Sequence, residues 1–172
     1  MANTSQPHGF RAISGPYRAR EYTKSSSSTA IGVGDLVFLQ TDGTIARCAA
    51  GPSQVCGVAL TPSPASTADT VLVSDHPDTV YEAQTDGSSG GGGVIINAVT
   101  ALFCNADVVD GTPVNGHSIQ QINESTGATT ATLPLKILRL YKAVNNAYGA
   151  NNRMECILNT SIYKSVGTLG LA

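Results

Sequence analysis

Asp35-Leu36-Val37-Phe38-Leu39-Gln40, Thr41-Asp42-Gly43 and Thr44-Ile45-Ala46-Arg47 follow one another without interruption. Two short apolar runs flank an Asp-Gly pair, and Asp-Gly supplies the positive φ that a tight turn demands. The stretch predicts a β-hairpin. Its neighbours repeat the pattern of short apolar runs bounded by Gly, Pro, Asp and Asn. Strands are expected over residues 55–60, 70–73, 79–84 and 118–122. Residues 94–104 lean toward strand, and Asn115-Gly116 marks another turn. In 135–142, strict alternation places Leu135, Ile137, Arg139 and Tyr141 on one face and Lys136, Leu138, Leu140 and Lys142 on the other. Met154, Cys156, Leu158, Thr160 and Ile162 alternate with polar neighbours in a last strand, after a polar loop over 145–152.

Roughly nine short strands at intervals of about 8–12 residues, with no convincing long helix, predict an all-β protein built as a single β-sandwich or β-barrel domain. That domain covers 31–172. Residues 1–30 are punctuated by Pro7, Gly9, Gly15 and Pro16 and end in a Ser-rich run, so they read as an extended N-terminal arm anchored by Phe10, Ile13, Tyr17 and Tyr22. The glycine-rich segment 85–93 reads as a mobile surface loop.

Composition narrows the function classes. The 172 residues are only 13% charged, about half the usual share, which disfavours long helices and charged disordered chains alike. No run approaches the roughly 20 apolar residues of a membrane-spanning helix. The N-terminus has neither a basic start nor an apolar core, so synthesis in a cytoplasm is expected. Cys48, Cys56, Cys104 and Cys156 sit in apolar contexts and read as free structural thiols.

The net charge of −2 conceals a segregation. Residues 1–30 carry Arg11, Arg18, Arg20 and Lys24 against Glu21. Residues 48–135 hold eight carboxylates, Asp69, Asp75, Asp78, Glu82, Asp86, Asp107, Asp110 and Glu124, with no Lys or Arg. Residues 136–164 return Lys136, Arg139, Lys142, Arg153 and Lys164 against Glu155. Either the basic ends fold back to neutralise the acidic middle, or the middle faces solvent while the ends meet an acidic partner surface. Nucleic acid is a poor partner for an acidic chain without basic-aromatic alternation.

No catalytic constellation emerges, and the chain reads as non-enzymatic. His8, His76 and His117 lack ligand spacing for zinc, and the glycine run lacks the Lys-Ser/Thr of a phosphate loop. Ser74-Asp75-His76 places triad residue types together, but neighbours on an extended chain point to opposite faces. No metal or cofactor is expected. The weight falls on a structural or binding protein whose arm, with Phe10, Ile13 and Tyr17, is too apolar to remain free in water.

Several segments carry a resemblance. Gly9-Phe10-Arg11, Gly34-Asp35-Leu36-Val37, Gly57-Val58, the 80–87 run Val-Tyr-Glu-Ala-Gln-Thr-Asp-Gly, Gly116-His117-Ser118, the 125–138 run from Ser-Thr-Gly to Lys-Ile-Leu, Asn145-Asn146, and Asn159 with Tyr163 resemble, in order and spacing, tailed-bacteriophage capsid decoration (cement) proteins and related phage head proteins. In that group Gly-Phe-Arg usually continues into Pro-Val, whereas Ala12-Ile13 follows here. The resemblance implies a homotrimer on the outer capsid surface of the virion that binds the major capsid protein and stabilises the shell. Phe10, Arg11, Tyr17, Arg18 and Arg20 are the expected capsid contacts. The alternative is a head fibre or a host-surface, carbohydrate-binding module, for which the absence of Trp and the 5% aromatic content are a poor fit.

Overall fold

A computed structural model describes residues 3–51, 54–88 and 101–164. The chain is all-β. One five-stranded antiparallel sheet has the order β1 (Arg11–Ser14), β7 (Val80–Gln84), β12 (Arg153–Leu158), β11 (Leu135–Leu140), β8 (Asn105–Ala106). The other has the order β2 (Ala19–Thr23), β6 (Thr70–Ser74), β5 (Val55–Ala59), β3 (Leu36–Leu39), β4 (Ile45–Arg47). A third pair joins β10 (Gln121–Ile122) to β9 (Val108–Val109). Neither large sheet closes into a barrel, and the arrangement is a sandwich.

The opening hairpin is present as β3 and β4, with Leu39 opposite Ile45 and Gly43 at φ +83° in the turn. Asn115 and Gly116 also take positive φ, at +51° and +76°, between the mutually bonded Val114 and His117. The first sheet buries one face. Tyr81 and Ala83 of β7, Met154, Cys156 and Leu158 of β12 and Leu135 and Ile137 of β11 meet Leu36, Val55 and Val58 of the second sheet in the main core. Each large side chain removed from water there contributes about 1.5–3 kcal/mol. The second sheet is apolar on both faces, because Val37, Cys56, Ala59, Val71 and Val73 form a second cluster with Ile31 and Ile45. All four cysteines are free and buried.

Three sequence expectations change. Of the arm expected over 1–30, the described residues 3–30 are built into the sandwich: β1 pairs with β7 at the edge of one sheet and β2 with β6 at the edge of the other. Strict alternation in 135–142 fails at Leu138, where a bulge between Ile137 and Arg139 shifts the register. Arg139 therefore lies opposite Glu155 on the outer face, and Leu140 turns inward opposite Met154. The last strand ends at Leu158, and the chain then crosses to the second sheet, where the Val55 N–H donates to Thr160 O and Ile162 N–H to Val55 O. The expectations for 89–93 and 94–100 lie outside the described residues, and 101–104 form a turn entering β8.

Candidate partner-binding face

The basic ends converge on two buried carboxylates of the acidic middle. Asp75, just past the end of β6, is fully buried. Arg18 Nε donates to its Oδ1 at 2.6 Å, while Oδ2 lies 2.6 Å from Tyr22 Oη and 2.9 Å from Tyr163 Oη. The two phenols are themselves 2.6 Å apart, so Asp75 Oδ2 and two hydroxyl oxygens share two protons. Burial pushes the Asp75 carboxyl up, but the hydrogen bonds from Arg18, Tyr22 and Tyr163 outweigh it and hold it below the usual carboxylate range. Burial, then the bond to Asp75, drives the Tyr22 phenol well above its ordinary value.

Tyr163 also organises the arginines. The Arg18 guanidinium carbon lies 4.4 Å from its ring centre and that of Arg20 lies 5.8 Å away, and Arg20 Nη1 donates to Tyr163 Oη at 3.3 Å. Arg20 Nε is 3.9 Å from Asp75 Oδ2, so most of the ion pairing falls to Arg18.

Glu82 of β7 is the second buried carboxylate. Arg11 Nη2 lies 2.8 Å from Oε2, His8 Nε2 3.2 Å from Oε1 and Arg153 Nη1 3.6 Å from Oε1. Burial raises the Glu82 carboxyl, but His8 first, then Arg11 and Arg153, bring it below its usual range. The bond to Glu82 reciprocally raises His8.

The expected contact residues therefore separate. Arg18 and Arg20 come together at Asp75, and Arg11 belongs to the Glu82 cluster on the other sheet. Tyr17, in the connection between β1 and β2, is 58% exposed. Phe10 is a correction: it is 2% exposed and packs in the main core of its own chain, so it anchors the N-terminal segment and presents nothing to a partner. The expectation that the whole acidic middle faces solvent is corrected too, because Asp75, Glu82 and Glu124 are fully buried. At Asp75 and Glu82 the ends do fold back and neutralise the middle. Sequence reasoning missed Tyr163, His8 and Arg153 as members of these clusters; the charge segregation was the signal that pointed to them. The triad-type residues diverge, since Ser74 Oγ bonds Tyr81 Oη, Asp75 faces Arg18, and His76 Nδ1 accepts from the Asp78 N–H.

The Asp75 cluster flanks the edge strand β2, and the Glu82 cluster spans β1, β7 and β12 on the outer face of the other sheet. No family model, no curated protein and no solved structure matches the chain.

Proposed function

We propose that the chain is a non-enzymatic structural protein of a virion, which binds the outer surface of an icosahedral phage capsid as a homotrimer and stabilises the shell. The observation that carries the reading, beside the ordered run of phage-head-like segments, is the exposed pair of Arg20 on β2 and Tyr163 packed against it, with exposed Tyr17 on the connection that enters β2. These side chains are about half exposed, yet β2 is held by its five residue pairs with β6, and Arg20 and Tyr163 are tied to buried Asp75. Preorganised aromatic and guanidinium groups lose little freedom on docking and suit an acidic protein surface. Three copies of a modest contact in one trimer give slow release through effective concentration.

Point variants test this, because deleting the N-terminal segment would remove β1 and β2 from both sheets. Arg20→Ala with Tyr17→Ala should fold, as shown by an unchanged circular dichroism spectrum. Its occupancy on undecorated capsids should fall at least tenfold. Wild-type occupancy by the folded double variant would overturn the proposed face.

A further inference from the structure

A polar cleft lies apart from the Asp75 cluster, where the N-terminal residues cross the ends of β7 and β12. Its volume is about 280 Å³, at the lower end of ligand sites and large enough for one ring-sized polar molecule. Asn3, Gln6, His8, Asn145, Asn151 and Arg153 are among its lining residues, and Val144 stands on its rim at 87% exposure.

The walls are fixed by carboxamide hydrogen bonds. Gln84, 3% exposed, donates to Thr4 O and Asn151 O and accepts from the Gln6 N–H, clamping the N-terminal segment to the sandwich. Asn3 donates to Ala147 O and Ala150 O, and Asn146 donates to Tyr141 O and Arg153 O, holding the loop opposite. Asn145 and Asn151 have positive φ, +62° and +57°, a conformation Asn tolerates.

Arg153 is the distinctive wall. Its guanidinium stacks on the Tyr141 ring at 5.4 Å and is 3.6 Å from Glu82, but makes no hydrogen bond among the described residues. Five planar donors beside a cleft, steered by stacking and already short of a close carboxylate, match a ligand carboxylate. Carboxamides from three segments match hydroxyl groups, and the exposed Val144 side chain matches the C–H face of a sugar ring.

We propose that this cleft binds a hexuronic-acid residue of a glycan, with Arg153 taking the carboxylate, Asn145 and Asn151 the hydroxyls, and Val144 the ring face. Without an aromatic platform the affinity for one residue is millimolar, and strength would come from repetition across copies. The inference is independent of the capsid-binding face, which lies around Asp75.

The test is an amide-resonance titration of the full chain with methyl β-glucuronide, using methyl β-glucoside and acetate as controls. The glucuronide should shift residues 4–8 and 143–153 and saturate in the millimolar range. The glucoside, identical except at the carboxylate, should bind at least fivefold more weakly, and acetate should give no saturable shift there. Arg153→Gln should reduce the glucuronide to the glucoside level. Should that variant unfold through its link to Glu82, Asn145→Gly supplies a second arm: it suits the positive φ, removes one carboxamide and should weaken both glycosides at least threefold. No saturable shift with the glucuronide at about 50 mM, well above a millimolar affinity, acetate shifts equal to those of the glucuronide, or undiminished binding by folded Asn145→Gly would overturn it.

Discussion

Arg139 lies directly across from Glu155, its Nε 2.8 Å from Oε2, because the bulge at Leu138 has turned it to the outer face of the sheet. The same register continues across the sheet: Glu155 is opposite Glu82, and Glu82 is opposite Arg11. Four strands thus carry a transverse row of Arg11, Glu82, Glu155 and Arg139, with two acidic groups inside and two arginines at the ends. Adjacent carboxylates on paired strands repel, and the flanking arginines, with His8 and Arg153, offset that repulsion.

The row is not uniform in energy. The Arg139 side chain is 63% exposed, so its ion pair is screened, and Arg139→Ala should cost at most about 1 kcal/mol. Glu82 is fully buried between two arginines and His8, and Glu82→Gln should cost about 2–4 kcal/mol by leaving the arginines uncompensated. Urea unfolding of both variants checks the contrast, and equal losses would contradict it.

Stability should decline from pH 4 to pH 7 through Asp35. Burial pushes its carboxyl up to about 6, against a hydrogen bond from the Gly32 N–H at 2.6 Å. The folded chain therefore holds this proton more tightly than the unfolded one. The contribution is complete below about pH 4 and is lost as pH rises through 6, by about 3 kcal/mol in all. His8, also raised, adds a loss in the same direction above its ordinary value, while Asp75 and Glu82, both lowered, lose theirs only toward strong acid. Asp35→Asn keeps an acceptor for Gly32 and should remove most of the pH 4–7 slope in urea midpoints. A slope identical to wild type would refute the assignment.

The four thiols should be inert in the native state. All are buried, and burial pushes Cys104 up to about 11 and Cys56 up to about 12, so the thiolate is scarce as well as inaccessible. A chromogenic disulfide reagent at pH 8 should react only at the rate of unfolding, then with four equivalents in denaturant. Rapid native reaction of any one thiol would be contrary to this packing.

Gly57→Ala should be among the most damaging single changes. A Cβ there would collide with the Ser74 carbonyl oxygen and with Val73 Cγ1 across the β5–β6 pair. Backbone against backbone has little room to give, so a loss of about 2–3 kcal/mol or more is expected. A thermal midpoint within a degree or two of wild type would show that the strands can separate freely.

The fold was legible where local chemistry decided it. Asp42-Gly43 and Asn115-Gly116 announced their turns, and β3 to β7 fell close to their expected bounds. The Leu138 bulge was not legible, because pairing Arg139 with Glu155 depends on a strand with which alternation in 135–142 has no local link. Phe10 was misjudged for a related reason: among Gly and Pro its single aromatic ring showed no periodicity, and its burial is set by a core whose other members lie far along the chain. The charge segregation was visible, but which carboxylates would be buried depended on β6 and β7 being neighbours of β2 and β1.

The central claim is a trimer that docks on capsids, and one experiment addresses both halves. Light scattering of the purified chain, followed by co-sedimentation with undecorated capsids, should give three times the chain mass and retention with the shells. A monomer that remains in the supernatant would contradict the account.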